Sequence, residues 1–399
     1  MAACAAGEAR RDAGSGGASG AAGAAGEGGE GGEGGAFMGS GGTTTDAAAV
    51  VPDAAATAHD GAAIELPAPP AADTRPVVSV GVAEYQMLVR RRNPDGSVAA
   101  PAPYDIRGIS WSPGVRGGGM PDIGGITRAA DLDFPLMQAA GINTVKTYGP
   151  VERVVLDKML AHGMLAIITV LVHGDDDYAG SVMALRAHPA VLMWLVGNEW
   201  NQNHLYGSCA ADACYGRVND TARAIKAIDP DHPVSTSFAP VNELPTADDL
   251  RRLDAIDVWG LNVYSQPGFF TRFLAWRQLA ASSGVKKPFF MSEYGADAFD
   301  SRAGREDAAA QATALRQQTA EIRGQSSARN PALPCVGGTP FEWNDEWWKT
   351  GSAAVQDRSG FSNRGVAPDG FANEDWWGVV DIDRKPRPAY RVLQELYVP

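Results

Sequence analysis

Short apolar segments rich in β-branched residues recur along the chain, and helix-like segments separate them. The eight segments are DIRGISWSP (105–113), INTVKTYGP (142–150), MLAIITVLVHG (164–174), VLMWLVGNEW (191–200), PVSTSFAP (233–240), IDVWGLNVYS (256–265), KPFFMSEYGAD (287–297) and VGGTPFEWNDEW (336–347). Each segment is short enough for one buried strand. Strands that alternate with helices favour a parallel sheet, and eight such units favour a closed (β/α)8 TIM barrel.

The segments between the strands carry helix boundaries. RAADLDFPLMQAAG (128–141) ends on Gly141, a plausible stop, and VNDTARAIKAIDP (218–230) ends at Pro230. A doubly wound open sheet is the alternative, but it usually has a glycine-rich phosphate loop after its first strand. WSPGVRGGGMPDIGG (111–125) lacks that spacing and opens no helix. Before the barrel, residues 78–100 predict a β-hairpin whose two short strands flank a Pro-Asp-Gly turn.

The first 76 residues differ from the rest of the 399-residue chain. They are dominated by Ala and Gly, include GEGGEGGEGG (26–35), and hold Phe37 as their one aromatic residue. Such a segment buries too little apolar area to offset the entropy of ordering, so residues 1–76 are interpreted as a disordered linker. The linker has ten acidic and three basic residues, so it carries −7 of the formal net charge of −13. Neither part has the basic stripe that a nucleic-acid partner requires, and residues 77–399 suffice for one large domain.

The four cysteines are too scattered for a Cys4 zinc site, which usually takes its ligands in two close pairs. Only Cys209 and Cys214 are close, and a disulfide between them is the preferred interpretation, with two reduced thiols as the alternative. Cys4 stands in MAAC, which is similar to the end of a bacterial lipoprotein signal, although chance in an Ala-rich segment explains it too. A lipid on Cys4 would tether the chain to a membrane, and we expect an extracytoplasmic location; an in-frame basic and apolar stretch upstream would support it.

Two glutamates end predicted strands. Glu199 follows the fourth strand and Glu293 the seventh, and the carboxyl ends of the strands form the active-site face of a β/α barrel. A lone glutamate at a strand end is ordinarily only solvated, but here amide and aromatic side chains accompany the pair. Two carboxyl groups in an aromatic-lined cup suit glycoside cleavage, which needs one group protonated and one ionised. The accompanying residues are Tyr148, His173, Asn198, Trp200, Tyr264, Tyr294 and Trp343.

The motifs GNEW (197–200) and SEYG (292–295) resemble those of the clan A glycoside hydrolases, which are retaining enzymes. DWWGVVDIDRKPRPAYRVLQEL (375–396) is similar to the end of family two catalytic domains, and NTVKTYGP (143–150) is somewhat similar to fungal β-1,3-glucanosyltransferases. The resemblance implies Glu199 as general acid/base, Glu293 as nucleophile and Asn198 as a contact to the sugar 2-hydroxyl. It also implies Tyr264 as a hydrogen-bond partner of the nucleophile and Trp343 as the platform beneath the sugar.

Two features depart from the resemblance. The clan commonly carries Arg near the end of strand two, where this chain has Lys146, and a lysine offers a point charge without the planar fork of arginine. Support of the nucleophile could therefore be looser or come from elsewhere. Family two enzymes also usually carry sandwich domains before the barrel, for which this chain has no room. The further substrate-binding candidates are Lys146, Tyr148, His173 and Trp200.

The expected function is a retaining β-glycoside hydrolase that acts by double displacement on a β-linked oligo- or polysaccharide, without cofactor or metal. Its two carboxyl groups should lie about 5 to 5.5 Å apart. A β-glucan transglycosylase and a non-catalytic carbohydrate-binding barrel are the alternatives. Metal-dependent barrel hydrolases typically need paired histidines, and the sequence has no His-x-His. His173 fits a substrate contact and an ordinary loop residue equally well, and Asp175 to Asp177 fit a solvated loop better than a Ca²⁺ site.

Overall fold

The structure is a computed structural model that describes residues 71–119, 122–239, 244–264, 268–363 and 368–398. The predicted disordered linker therefore lies outside the described residues except for residues 71–76, which precede the first strand without regular secondary structure. Cys4, the proposed lipidation site, also lies outside them. No helix in the described ranges combines the length and the apolar character needed to cross a membrane.

Eight parallel strands close into a barrel, so the predicted (β/α)8 fold is confirmed. Each barrel strand falls on one of the eight apolar segments of the sequence, and neighbours in sequence are neighbours around the barrel. The barrel strands are β4 (Ile106–Trp111), β5 (Thr144–Thr147), β6 (Leu165–Val170), β7 (Val191–Asn198), β8 (Val234–Phe238), β9 (Val258–Asn262), β10 (Phe289–Tyr294) and β13 (Cys335–Pro340).

Helices follow the barrel strands in the described part of the chain. Asp122 begins α1 by accepting a hydrogen bond from the Gly125 N–H, so segment 111–125 does open a helix, contrary to the prediction. Gly141 follows the end of α1 with φ +76°. A glycine adopts this left-handed conformation without steric cost, which explains the predicted stop. The helices are α1 (Ile123–Ala139), α2 (Arg153–Ala161), α3 (Tyr178–Leu185), α4 (Trp200–Gly207), α5 (Ala211–Ile228), α6 (Ala247–Arg252), α7 (Phe270–Ser283), α8 (Ala308–Gly324) and α9 (Pro388–Tyr397).

The predicted N-terminal hairpin is present, and the structure adds one strand before it. Strands β1 (Val77–Ala83) and β2 (Gln86–Arg91) pair across a turn at Glu84. The Pro-Asp-Gly turn is a second one, which leads from β2 to the short strand β3 (Ala102–Pro103). The Pro-Asp-Gly turn therefore joins antiparallel strands as predicted, whereas the turn at Glu84 was missed because Glu84 adopts φ 51° although it is not a glycine.

Buried side chains form two layers around the barrel wall. In β7, Trp194 packs outward under the helices, while Leu192 and Leu195 belong to a second cluster inside the barrel. Parallel strands are buried on both faces, which is why this strand is a continuous apolar run in the sequence. Residues of the hairpin, Val80 and Met87 among them, join the inner cluster. The hairpin thus covers the N-terminal end of the barrel and leaves the C-terminal end for a site.

Short strand pairs and a turn of 3-10 helix lie in the loops beyond β10 and β13. Strand β11 (Phe299–Asp300) pairs with β12 (Arg305–Glu306), and β14 (Phe361–Ser362) pairs with β15 (Phe371–Ala372). The 3-10 turn covers Glu374–Trp376. These elements place the segment after β13 beside the C-terminal end of the barrel.

A disulfide joins Cys209 and Cys214, between the end of α4 and the first turns of α5. Cys335 is a free, buried thiol. The bridge closes the loop between α4 and α5, and α4 directly follows Glu199.

Replacing Cys209 and Cys214 together with Ser is expected to lower the free energy of unfolding by about 2 kcal/mol, the low end for disulfides because the closed loop is short. Denaturant unfolding measures the loss. Thiol titration of the denatured, unreduced chain should find two free thiols, and four free thiols would contradict the pairing.

Candidate active site

The first carboxyl group sits on a sharp turn between β7 and α4. Gly197 has φ +69°, and a Cβ at this position would lie 2.9 Å from Cδ1 of Trp200, so only glycine fits. Glu199 itself has φ 52°, a left-handed conformation that is uncommon for a residue with a side chain. Such backbone strain clusters at functional sites. The short motif Gly-Asn-Glu therefore reflects a turn that aims Glu199 into the barrel mouth.

The second carboxyl group, Glu293 near the end of β10, is held by three donors. Lys146 Nζ lies 2.7 Å from Oε1 and forms a buried ion pair with it. The Tyr148 hydroxyl donates to the same oxygen at 2.8 Å, and the Tyr264 hydroxyl donates to Oε2 at 2.8 Å. Lys146 thus contacts the carboxylate although it lacks the fork of an arginine, and two tyrosines supply the remaining contacts.

A chain of polar contacts through Lys146 and two amide side chains links the two glutamates. Asn262, at the end of β9, donates to Oε1 of Glu199 at 3.1 Å and to Oδ1 of Asn198 at 3.3 Å. The same Oδ1 accepts a hydrogen bond from Lys146 Nζ at 3.3 Å. A continuous chain of polar contacts therefore runs from Glu293 through Lys146, Asn198 and Asn262 to Glu199. Side chains from β5, β7, β9 and β10 meet at one end of the barrel.

The two carboxyl groups have opposite pKa shifts. Burial, with the charge of Glu293 as the second cause, raises the pKa of Glu199 to about 7. Burial would also raise the pKa of Glu293, but the charge of Lys146 and the hydrogen bonds to this carboxylate lower it below its ordinary value. Below about pH 7 and above the lowered pKa of Glu293, Glu293 is ionised and Glu199 carries a proton. One group can then act as a nucleophile while the other donates a proton.

Two predicted contacts are wrong. Trp343 is 0% exposed, and its ring packs near Tyr390 of α9 in the core outside the barrel. Trp200 is also fully buried; its Nε1 donates to Thr236 at 2.7 Å, and its ring meets Tyr215 edge-on at 4.8 Å. Both indoles stabilise the loops that carry site residues, and neither is placed to contact a sugar. The presence of an aromatic residue near a strand end did not reveal whether its ring points into the core or toward the barrel mouth.

Phe341 lies where Trp343 was expected. Its ring is in edge contact with Tyr148 and Tyr264, each at 6.2 Å between centroids. Because both tyrosines donate to Glu293, Phe341 packs against the two residues that hold the second carboxylate. No local pattern favoured Phe341 over the tryptophan two residues later.

Asn262 and an acidic cluster were also missed. Asn262 accepts hydrogen bonds from Ser237 and Ser292 at 2.7 Å each, which fix its amide toward Glu199. In the sequence it is an ordinary polar residue within LNVYS. The acidic cluster comprises Glu342, Glu346, Glu374 and Lys349, and Lys349 lies within ion-pair distance of all three glutamates. Only the folded loops bring Glu374 beside residues 342–349.

The loop after β6 holds the remaining candidates. His173 is exposed, its backbone N–H donates to Asp176 at 2.8 Å, and its ring lies tilted against that of Tyr206 at 4.8 Å between centroids. Asp177 begins α3 by accepting a hydrogen bond from the Gly180 N–H. In the described ranges no group of three or more His, Cys, Asp or Glu side chains is arranged to hold a metal ion. None of the contacts described for His173 joins it to Glu199 or Glu293.

Residues 169–322 match a family model described as the TIM barrel domain of glycosyl hydrolases family 2. The matched segment runs from β6 into α8 and includes both Glu199 and Glu293. The resemblance to clan A that the motifs predicted is therefore confirmed. No curated protein matches the chain.

Several solved glycosidase structures share the fold. A family 2 β-galacturonidase from Eisenbergiella tayi is 19% identical with TM-score 0.54, over 80% of this chain and 53% of that one. A β-glucuronidase from Faecalibacterium prausnitzii is 18% identical with TM-score 0.53, over 80% and 52%. A Bacteroides uniformis β-glucuronidase is 18% identical with TM-score 0.51, over 78% and 40%. This chain thus spans about half the length of those structures or less, and the likeness is one of fold.

Proposed function

We propose that this protein is a retaining β-glycoside hydrolase that cleaves a β-linked oligo- or polysaccharide. The observation that supports this proposal most is the pair Glu199 and Glu293, joined through one polar network at the barrel mouth and shifted in opposite directions in pKa. Retaining glycosidases need one protonated and one ionised carboxyl group. A binding protein would gain nothing from a strained turn and a poised proton.

The contacts assign a role to each group. An Oε atom of Glu293 attacks the anomeric carbon, while Glu199 transfers its proton to the departing glycosidic oxygen. The C–O bond to the leaving group breaks as the glycosyl ester forms. Glu199, now ionised, takes a proton from water, and the resulting hydroxide oxygen displaces Glu293 from the anomeric carbon. Two displacements at one carbon return the β configuration.

The proposal is tested by incubating the full chain with a panel of β-glucans, mannans and galactans and following the products by proton NMR. The first-formed sugar should have the β configuration. A first product with the α configuration would contradict double displacement, and absence of any cleavage together with measurable sugar binding would favour a non-catalytic barrel.

The pH dependence of kcat/KM should be bell-shaped. Glu199 must be protonated, so activity should fall as the pH rises through about 7, where burial and the charge of Glu293 have placed its pKa. Glu293 must be ionised, so activity should fall only at acidic pH, below the ordinary glutamate range, since Lys146 lowers its pKa. A profile on an alkyl β-glycoside or β-linked disaccharide, whose leaving group needs the proton, measures both limbs. A rate that stays constant well above pH 8 would contradict the assignment of Glu199.

We further propose an extracytoplasmic location. Disulfides persist mainly in oxidising compartments, and the Cys209–Cys214 bridge supports this reading. Mass spectrometry of the protein from its native cells should find the bridge oxidised and would show whether Cys4 carries a lipid.

A further inference from the structure

Two exposed aromatic rings lie together on the loops that follow β6 and β7. The ring centroids of His173 and Tyr206 are 4.8 Å apart, the His173 side chain is 52% exposed, and Tyr206 is 38% exposed. Both loops leave the C-terminal ends of neighbouring barrel strands, and this end of the barrel also carries Glu199 and Glu293. The pair therefore presents accessible aromatic surface at the active-site end of the barrel.

Tyr206 is tied to the turn that aims Glu199. The Asn203 side-chain amide donates to the Asn198 carbonyl oxygen at 2.7 Å, and the amide oxygen accepts a hydrogen bond from the Tyr206 N–H at 3.4 Å. Because one short amide group makes both bonds, the Tyr206 nitrogen lies within about 8 Å of the carbonyl that directly precedes Glu199. The aromatic pair thus lies on the Glu199 side of the barrel mouth.

The two loops are also joined directly. The Gly174 N–H donates to Ser208 Oγ at 3.1 Å, and a Cβ on Gly174 would overlap that of Ser208, so the loops approach as closely as a glycine permits. The disulfide between Cys209 and Cys214 closes the chain immediately beyond this contact. Hydrogen bonds and a covalent bridge therefore fix the position of the loops that carry the aromatic pair.

Strained backbone holds Tyr206 at the surface. The consecutive residues His204, Leu205 and Tyr206 have φ of 56°, 53° and 54°, a left-handed conformation that costs free energy at each residue that is not a glycine. The turn buries Leu205 completely, and a Cβ on Gly197 would lie 3.3 Å from Leu205 Cδ2. Burial of Leu205 does not require an exposed tyrosine beside it. Strained backbone clusters at functional sites and ligand clamps, which points to a ligand for Tyr206.

The leaving group of the proposed reaction departs on the Glu199 side. Glu199 protonates the glycosidic oxygen from one face of the bound sugar, while Glu293 attacks the anomeric carbon from the other face. Whatever is attached to that oxygen therefore lies toward the loops around Glu199. The C–H face of a pyranose ring packs on an aromatic ring, and a histidine ring nitrogen forms hydrogen bonds with hydroxyl groups. Tyr206 and His173 together offer both kinds of contact.

We propose that Tyr206 and His173 bind the sugar residue on the leaving-group side of the cleaved bond, so that the preferred substrate carries a sugar ring at that position. This inference rests on the proposed function and names the chemical class of its leaving group. The contacts described for Glu199 and Glu293 include neither ring. The pair therefore contributes affinity for the leaving sugar and takes no part in proton transfer or nucleophilic attack.

The test compares two kinds of substrate that need the same proton. The disaccharides cellobiose, laminaribiose, β-1,4-mannobiose and β-1,4-galactobiose and the corresponding methyl β-glycosides all require protonation of the leaving oxygen, but only a disaccharide places a sugar ring against the pair. For the sugar that is hydrolysed, the measured quantity is the ratio of kcat/KM for the disaccharide to kcat/KM for the methyl glycoside. Tyr206→Ala should lower this ratio by about 10-fold and His173→Ala by about 3-fold, whereas Tyr206→Phe, which keeps the ring, should stay within about 2-fold.

A purely structural role of Tyr206 gives a different result. Displacement of Glu199 would slow both kinds of substrate equally, so equal losses in Tyr206→Ala would overturn the inference, as would an unchanged ratio or hydrolysis of methyl glycosides alone. The control is Tyr85→Ala, which removes a half-buried tyrosine from the hairpin at the N-terminal end of the barrel and should leave the ratio unchanged. If Tyr206→Ala does not fold, His173→Ala, which truncates an exposed side chain, decides between the same outcomes.

Calorimetric titration of the full chain with cellotriose, laminaritriose, mannotriose and galactotriose separates this inference from the proposed function. A chain that cleaves no glycoside but binds a trisaccharide, with affinity that falls about 10-fold in Tyr206→Ala, would overturn the hydrolase and support the aromatic site. Cleavage with an unchanged ratio would support the hydrolase and overturn the aromatic site. A chain that cleaves no glycoside and binds no trisaccharide, or binds one equally well in Tyr206→Ala, would overturn both.

Discussion

Replacement of Glu293 with Ala is expected to lower kcat by at least about 10,000-fold, because removal of a catalytic nucleophile eliminates the first displacement. The variant should fold, although Lys146 loses its carboxylate partner and becomes a buried charge without that ion pair. Some loss of thermal stability should therefore accompany the loss of activity. Single-turnover and steady-state rates on an activated aryl β-glycoside measure the effect.

Azide provides a second readout for the same variant. The deleted side chain leaves room for a small anion, which should attack the anomeric carbon once and yield an α-glycosyl azide. The control is Glu395→Ala, an exposed carboxylate on α9, which should keep the full rate. A Glu293→Ala variant with undiminished turnover would defeat the proposed mechanism.

Replacement of Glu199 with Ala should give a loss that depends on the leaving group. For alkyl or sugar leaving groups, which need a proton as they depart, kcat/KM should fall by about 100- to 10,000-fold. For a 2,4-dinitrophenyl glycoside, which departs without a proton, the first displacement should change by less than about 10-fold. Pre-steady-state release of the phenol measures this step separately.

The fall of kcat/KM at alkaline pH should disappear when Glu199, the proposed general acid, is replaced. If the pKa of about 7 belongs to Glu199, the Glu199→Ala and Glu199→Gln variants should both lose the fall in rate above that pH. Equal losses on all leaving groups, with the alkaline limb retained, would assign proton transfer to another residue.

The strand-end glutamates show how far sequence reasoning reaches. Glu199 and Glu293 are 94 positions apart, yet both follow apolar runs, and a barrel brings all such strand ends to one face. Tyr148, Asn198 and Tyr264 were predicted on the same ground, and Lys146 from the resemblance to clan A. The structure connects all four to the two carboxyl groups.

The errors have a common cause. Trp200 and Trp343 also lie at strand ends, but their rings turn into the core, and Phe341 takes the place expected for Trp343. Side-chain direction in the loop after β13 depends on packing against α9 and the segment around Trp377, which are distant in sequence. A local pattern holds no information about those contacts.

The order of apolar runs by itself determined the barrel, its strand sequence and the face that carries the two glutamates, because strand burial and right-handed βα connections leave few other arrangements. Tertiary structure alone decided the protonation state of each glutamate, since burial, the ion pair with Lys146 and the amide of Asn262 act through space. Tertiary structure also decided which acidic side chains lie together around Lys349. Glu374 approaches Lys349 only when the chain after β13 folds back over the barrel mouth, and electrostatic energies depend on that distance rather than on sequence separation.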